Sequence, residues 1–118
     1  MAEAGSLDDA AQFLNRATNL APRKAASYKY LGMVELRRNH PEQAVINLST
    51  ALALTPDDDV ILGELGTAYY LMGNTSKAVA CLSKALANNP SDEQSRYYLE
   101  RARGKQTDDY SAASDMTP

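Results

Sequence analysis

Three prolines, Pro22, Pro56 and Pro90, stand 34 residues apart along the chain. Other residues recur at the same interval, namely Ala10, Ala44 and Ala78, Leu14, Leu48 and Leu82, and Ala17, Ala51 and Ala85. A constant period of this length is typical of stacked supersecondary units, each of which buries its apolar face only against a neighbour. The spacing therefore restricts the chain to a repeat architecture.

Each unit is predicted to be a pair of helices. The segment "RKAASYKYLGMVELRR" has helical apolar spacing, and "NHP" then interrupts it. Pro41 suits the first position of a second helix, where its missing N–H has no intrahelical partner in any case. The segment that follows, "PEQAVINLSTALAL", places small and leucine residues on one face. Pro56 and Pro90 end the second helices, because a proline disfavours the α conformation of the residue before it.

Two glycines, Gly32 and Gly66, lie inside the first helices of successive units. A glycine in a helix costs about 0.5 to 1 kcal/mol relative to alanine. The absence of a Cβ allows a partner helix to approach closely, and this packing offsets the local cost. We expect the small residues Ala44 and Ala78 to meet the two glycines.

Composition excludes several classes of protein. The chain has 118 residues, 44% of them hydrophobic and 23% charged, which fits one folded domain. It has no apolar run of membrane-spanning length and no secretory leader, so we predict a cytoplasmic protein without membrane insertion. The net charge of -3 and the dispersed basic residues argue against nucleic acid as a partner.

The repeat resembles the tetratricopeptide repeat, a 34-residue helix–turn–helix unit with a W-x2-L-G-x2-Y…A-x3-F…P signature. The middle copy carries it as Tyr28, Leu31, Gly32, Ala44, Leu48, Ala51 and Pro56. The third copy carries Leu62, Leu65, Gly66, Tyr69, Ala78, Leu82, Ala85 and Pro90. Glu35 replaces the aromatic residue of the middle copy, which we expect to weaken local packing. The resemblance implies an all-α fold, a right-handed superhelical stack of antiparallel helix pairs with about six helices in total.

The predicted organisation is a repeat domain over residues 1–104. It comprises a half repeat at 5–22, full repeats at 25–56 and 59–90, and a capping helix at 92–104, followed by a flexible tail at 105–118. The first unit resembles only a second helix, so its apolar face, with Phe13 and Leu14, lacks a partner. Either the chain is a fragment of a longer array or the missing helix is supplied by something else. Self-assembly through this incomplete edge, by an end-to-end contact or a swapped helix, is the alternative functional hypothesis.

The resemblance also implies a binding surface, because first helices of this family line a concave groove that holds a peptide or helix of another protein. The positions that face the ligand include nine residues that we predict as the site: Lys29, Tyr30, Met33, Leu36, Arg37, Thr67, Tyr70, Tyr97 and Arg101. Glu64, Leu71, Gln94 and Tyr98 occupy further groove positions. Met33, Leu36, Tyr70 and Leu71 have an alternative interpretation as partly core residues. The family's carboxylate clamp for chaperone tails is matched only by Lys29, since Met33, Glu64, Gln94 and Tyr98 stand at its other positions.

Catalytic and metal chemistry find little support. A nucleophile needs a base within hydrogen-bond reach, but the single cysteine, Cys81, lies mid-helix and the single histidine, His40, lies in a turn. The acidic run Asp57 to Asp59 lacks the glycine and distal glutamate of a calcium loop. We therefore predict a protein-interaction scaffold with no catalytic residues, no metal site and no cofactor.

Overall fold

The chain forms six α-helices in a computed structural model that describes residues 4–115, with side chains described for residues 5–105. The helices are α1 (Ala4–Leu20), α2 (Ala25–Arg37), α3 (Pro41–Leu54), α4 (Asp59–Leu71), α5 (Thr75–Asn88) and α6 (Glu93–Asp115). No strand occurs among the residues of this range. The predicted all-α stack of about six helices is confirmed.

The first helices of successive units, α2, α4 and α6, are called the inner helices. Acidic side chains cap the N-termini of two of them. The Asp58 carboxylate accepts hydrogen bonds from the amides of Val60 and Ile61 at the start of α4, at 2.9 and 3.1 Å. Asp92 accepts one from the Ser95 amide at the start of α6, at 3.1 Å. These contacts satisfy amides that have no partner within the helix. At the equivalent place before α2, Lys24 makes no side-chain cap.

A left-handed residue ends the first helix of each full repeat. Asn39 has φ of 63° after α2, and Gly73 has φ of 82° after α4. The next amide then reaches back, from His40 to the Glu35 carbonyl at 2.8 Å and from Asn74 to the Tyr69 carbonyl at 2.9 Å. This hydrogen-bond pattern satisfies helix-terminal carbonyls and turns the chain back on itself. The tight turn sets α3 antiparallel to α2 and α5 antiparallel to α4.

The core consists of two clusters, each formed where one repeat packs on the next helix along the chain. The first joins α3 and α4 through Ala44, Leu48, Ala51, Ile61, Leu65 and Ala68. The second joins α5 and α6 through Ala78, Leu82, Leu99 and Ala102. Tyr69 packs against both clusters. The interior is therefore continuous along the stack, as the period predicts.

The inner-helix glycines meet leucines. A Cβ built on Gly32 would lie 2.5 Å from Leu48 Cγ, and one on Gly66 would lie 2.5 Å from Leu82 Cγ. Neither distance is compatible with a real Cβ, so both glycines are required by close helix approach. The expectation that Ala44 and Ala78 provide the nearest surface is wrong, because the longer leucine one turn later covers each glycine.

Glu35 is buried, with 5% of its surface exposed, and takes part in a charged network. Its carboxylate accepts a hydrogen bond from Arg38 Nη1 at 2.7 Å and another from His40 Nδ1 at 2.9 Å. The Nε of Arg38 donates to Asp8 on α1 at 3.0 Å. These polar contacts tie α1, α2 and the turn before α3 together, and the expected weakening of local packing stays a prediction.

The last helix is longer than the sequence predicts. Its backbone remains helical to Asp115, whereas the capping helix was expected to end at residue 104. Gly104 alone does not stop it, and no proline follows before residue 118. The predicted mobility of 105–118 stays a prediction, and residues 116–118 lie outside the described part of the chain.

Candidate functional site

The three inner helices line one groove. Helix α4 contacts both α2 and α6. Together they form an open cavity of about 270 Å³, lined by Leu36, Arg37, Glu64, Thr67, Leu71, Gln94 and Tyr98. Leu36 and Tyr98 also pack against the core, so the apolar part of the cavity is held in place by the interior. Three different repeats therefore contribute to one surface.

Glu64 lies in the floor of the groove with polar neighbours. Burial raises the pKa of its carboxyl group, while the positive charge of Arg37 opposes this rise. The amide of Gln94 donates to Glu64 Oε1 at 3.4 Å and to the hydroxyl of Thr67 at 3.5 Å. A partly buried carboxylate whose burial is only partly compensated favours a ligand that brings a hydrogen-bond donor or a positive charge.

The groove is acidic at the end where the inner helices begin. A second cavity of about 430 Å³ lies between the starts of α4 and α6 and shares Glu64 and Gln94 with the first. Its acidic lining residues are Asp59, Glu64, Asp92 and Glu93. This end of the surface favours basic or hydrogen-bond-donating groups.

The opposite end of the groove is aromatic and basic. The rings of Tyr70 and Tyr98 lie 5.5 Å apart, and those of Tyr97 and Tyr98 lie 5.0 Å apart and nearly perpendicular. The Nε of Arg101 donates to the Tyr70 hydroxyl at 3.2 Å, and Lys105 Nζ lies 5.8 Å from the Tyr70 ring. Such edge-to-face and cation–π contacts hold large side chains in defined positions at an open surface.

The nine predicted site residues fall into three groups. Leu36, Arg37 and Thr67 line the central cavity. Tyr70, Tyr97 and Arg101 belong to the aromatic end. Lys29, Tyr30 and Met33 line neither of the two groove cavities.

Lys29 and Thr67 are engaged by residues next to the groove. Lys29 Nζ lies 3.2 Å from the Asp58 carboxylate, beside the start of α4. Thr67 is buried, and its hydroxyl donates to the Gly63 carbonyl at 2.9 Å. The four further groove positions, Glu64, Leu71, Gln94 and Tyr98, all line the central cavity. In the repeat register Glu64 and Tyr98 are equivalent to Tyr30, Leu71 is equivalent to Arg37, and Gln94 is equivalent to Ala26, and this equivalence is the signal that identifies them.

The outer side of the stack carries a different cavity. About 470 Å³ of mostly apolar space separates α3 from α5, with Leu52, Tyr69 and Cys81 in its lining. Burial raises the pKa of the Cys81 thiol, which keeps it protonated and weakly nucleophilic. Among the described residues, no group of three or more His, Cys, Asp or Glu is placed to hold a metal ion. Within the same residues, no helix combines the length and apolarity needed to cross a bilayer.

Helical hairpins stacked at a constant interval, with first helices lining a shared groove, define a helical-repeat protein of the α-solenoid class. The sequence model of the tetratricopeptide repeat matches residues 35–103, more than half of the chain, and the chain belongs to that family. Domains of this family are protein-interaction modules. No curated protein matches the chain in sequence.

Solved structures agree with the fold. MamA is similar with a TM-score of 0.83 and 19% identity, over 87% of this chain and 60% of MamA, so this chain spans less than two thirds of that protein. The first repeat domain of Spaghetti (RPAP3), bound to an HSP90 peptide, has a TM-score of 0.83 and 14% identity, covering 87% of this chain and 82% of that one. The second domain of human RPAP3, in complex with an HSP70 peptide, has a TM-score of 0.78 and 19% identity, covering 84% and 82%.

Proposed function

We propose that this chain is a non-catalytic protein-interaction scaffold that binds a peptide or helical segment of another protein in the inner groove. The observation that carries the proposal is the joint lining of one cavity by side chains from α2, α4 and α6. A ligand that spans the cavity contacts all three helices at once. A centre that offers the apolar side chains Leu36 and Leu71, placed between an acidic end and a basic end, is also the anatomy expected of a peptide site.

The charge distribution defines the ligand further. The acidic end presents Asp59 and Glu93, the other end presents Arg101 and Lys105, and Arg37 lines the central cavity between them. A suitable segment has an apolar or aromatic anchor for the centre near Leu36 and Leu71. It has an acidic side chain or carboxylate toward the arginines and a basic group toward the acidic end.

Chaperone tails are poor candidates for this groove. The two structurally similar RPAP3 domains bind peptides that end in the acidic sequence EEVD. In this chain Lys29, the only match to the carboxylate clamp, is paired with Asp58, and Glu64 adds a negative charge to the groove floor. We expect the HSP90 peptide SRMEEVD to bind at least about tenfold more weakly here than to a clamp-bearing domain, because like charges repel and the clamp cations are missing.

Peptide selection tests the proposal directly. A random peptide library displayed on phage is selected against the wild-type chain, and affinities of the selected peptides are measured by calorimetry. Arg101→Glu and Tyr98→Ala should each lower affinity at least about tenfold, because they remove a charge partner and an apolar wall. Selected peptides should carry an acidic group beside an apolar residue.

Matched variants on the outer helices serve as controls. Lys84→Glu on α5 reverses an exposed charge, and Ile46→Ala on α3 removes an apolar side chain that is 59% exposed. Neither should change peptide affinity. If both groove variants retain full affinity while circular dichroism reports intact helices, this groove is not the binding site.

A further inference from the structure

Helix α1 has the same face as α3 and α5 but leaves it open. In α3 and α5 the small and leucine residues that pack on the first helix of the same repeat are 0% exposed: Ala44, Leu48, Ala51, Ala78, Leu82 and Ala85. Their counterparts on α1, Ala10, Leu14 and Ala17, are only partly buried. Beside them, Phe13 is 70% exposed and Leu20 is 86% exposed. A contiguous apolar face of this kind indicates a contact surface.

The last helix of a second copy is a poor match for this face. Helix α6 is a first-helix type, so end-to-end stacking would place its outward side on α1. That side presents the exposed residues Arg96, Glu100 and Arg103. Glu100 occupies the repeat position of Gly32 and Gly66, which leave space for Leu48 and Leu82. In an end-to-end contact Leu14 would therefore meet a charged side chain. The end-to-end arrangement would move these charged side chains out of water and against Phe13, which costs free energy.

The charges that flank Phe13 fit a different arrangement. Asp9 lies four residues before Phe13 and Arg16 three residues after it, both exposed and on the same flank of the helix. Asp8, by contrast, is occupied by Arg38. When two copies of α1 run antiparallel about a two-fold axis near Phe13, each Asp9 faces the Arg16 of the other copy. In a parallel two-fold pair each flank faces the opposite flank of the partner helix, so Asp9 and Arg16 would not face each other and this attraction would be absent.

We propose that α1 packs against α1 of a second copy of this chain, in an antiparallel contact with two-fold symmetry centred near Phe13. Phe13 and Leu20 supply the apolar seam, and Ala10 and Ala17 allow the two helices to approach closely. The Asp9–Arg16 pairs select the antiparallel orientation, as flanking charges do in coiled coils. No residue of α1 lines either groove cavity, so the dimer leaves the inner groove open for the proposed ligand.

Charge exchange gives a sharp test, read by sedimentation equilibrium of the full chain over a concentration series. The wild type should show a monomer–dimer equilibrium. Asp9→Arg and Arg16→Asp should each raise the dimer dissociation constant about tenfold, because two attractive pairs become repulsive. An equimolar mixture of the two variants should recover wild-type association as a heterodimer, and the double variant Asp9→Arg/Arg16→Asp should recover it as a homodimer. Phe13→Asp should abolish association.

Control variants distinguish the α1–α1 contact from other partners of the apolar α1 face. Glu100→Arg, a charge reversal on the outward side of α6, should leave association unchanged. Circular dichroism establishes that each variant remains helical, so a loss of association is not a loss of folding. A wild-type chain that stays monomeric at every concentration overturns the proposal and assigns the α1 face to a different segment or protein. Association that is lost on Glu100→Arg, or that the variant mixture does not recover, also overturns it.

Discussion

In the hairpin α2–α3 the side chain of Leu48 covers Gly32, and in the hairpin α4–α5 Leu82 covers Gly66 at the same 2.5 Å from the position of a missing Cβ. The two repeats differ instead at their ends and turns. The first has an uncapped start, a buried glutamate and an asparagine in the left-handed turn. The second has Asp58 as its cap, Tyr69 in the place of the glutamate and glycine in the turn. The glycine–leucine contact is the same in both repeats, whereas the position of Glu35 and Tyr69 and the helix ends accept several local solutions.

The largest effects should come from the shared interior. Leu48→Ala and Leu82→Ala should each destabilise the fold by about 2 to 5 kcal/mol, because both leucines are fully buried. Gly32→Ala and Gly66→Ala should each cost about 1 to 3 kcal/mol through overpacking. Chemical denaturation measures these losses, and similar values in both repeats would support an equivalent interior.

A double-mutant cycle isolates the glycine–leucine contact. Gly32→Ala should cost much less in the Leu48→Ala background, since the truncated side chain leaves room for the new methyl group. Gly104→Ala is the matched control, because among the described residues no atom beyond its chain neighbours and its own helix backbone lies within 4 Å of its Cβ position. That change should stabilise α6 by about 0.5 to 1 kcal/mol through helix propensity. Additive losses for the Gly32 and Leu48 changes would show that the two residues do not share the close approach.

Glu35 tests the first difference between the repeats. Glu35→Ala should destabilise the chain by about 1 to 3 kcal/mol, because it removes the charged hydrogen bonds to Arg38 and His40. Glu35→Gln preserves the shape and should cost less. Thermal unfolding followed by circular dichroism gives the comparison, with Glu42→Ala, an exposed acid on α3, as control. An unchanged melting temperature for Glu35→Ala would mean that the network does not hold α1 in place.

Features that recur in each repeat could be predicted from the sequence, whereas features that occur in a single copy could not. The period, the helix pairs, the acids before α4 and α6 and the need for Gly32 follow from demands that each copy repeats. The Glu35 network joins three elements around a single position, so no internal comparison reveals it. The glycine partner was misassigned because residue size alone does not show which side chain on the facing helix reaches furthest. The set of groove residues that bind a ligand stays a prediction, and the ion pair of Lys29 with Asp58 could not be read from the period because it is a contact between repeats.

Helix capping tests the second difference. Burial alone would raise the pKa of Asp58, but hydrogen bonds from the Ile61 amide and Lys29 outweigh it and lower the pKa below the usual 3.8. The contribution of a carboxylate with a lowered pKa is complete above about pH 4 and is lost as the pH falls through its folded-state value. Asp58→Ala should therefore cost about 1 kcal/mol at pH 7 and progressively less in acid.

Adding an N-cap to α2, in the first full repeat, completes the test of helix capping. Lys24 has the extended backbone that an N-cap requires, with φ of -92° and ψ of 104°. Lys24→Asp should consequently gain about 0.5 to 1 kcal/mol at pH 7 by capping α2, and urea unfolding at several pH values measures both variants. A pH-independent loss for Asp58→Ala would show that the cap acts without its charge.

The smallest expected effect lies in the turns. Asn39 adopts the left-handed conformation that Gly73 adopts at the equivalent place, and only glycine does so without steric cost. Asn39→Gly should therefore stabilise the first hairpin by about 0.5 kcal/mol, the relieved strain exceeding the entropy that glycine adds to the unfolded chain. Gly73→Ala should destabilise the second by about 1 kcal/mol, although nothing lies within 4 Å of its Cβ position, because the loss comes from the backbone alone. Denaturation curves for the two variants decide between turn strain and side-chain contact. If Asn39→Gly weakens the fold instead, the asparagine side chain holds the turn, and the two repeats end their first helices by different means.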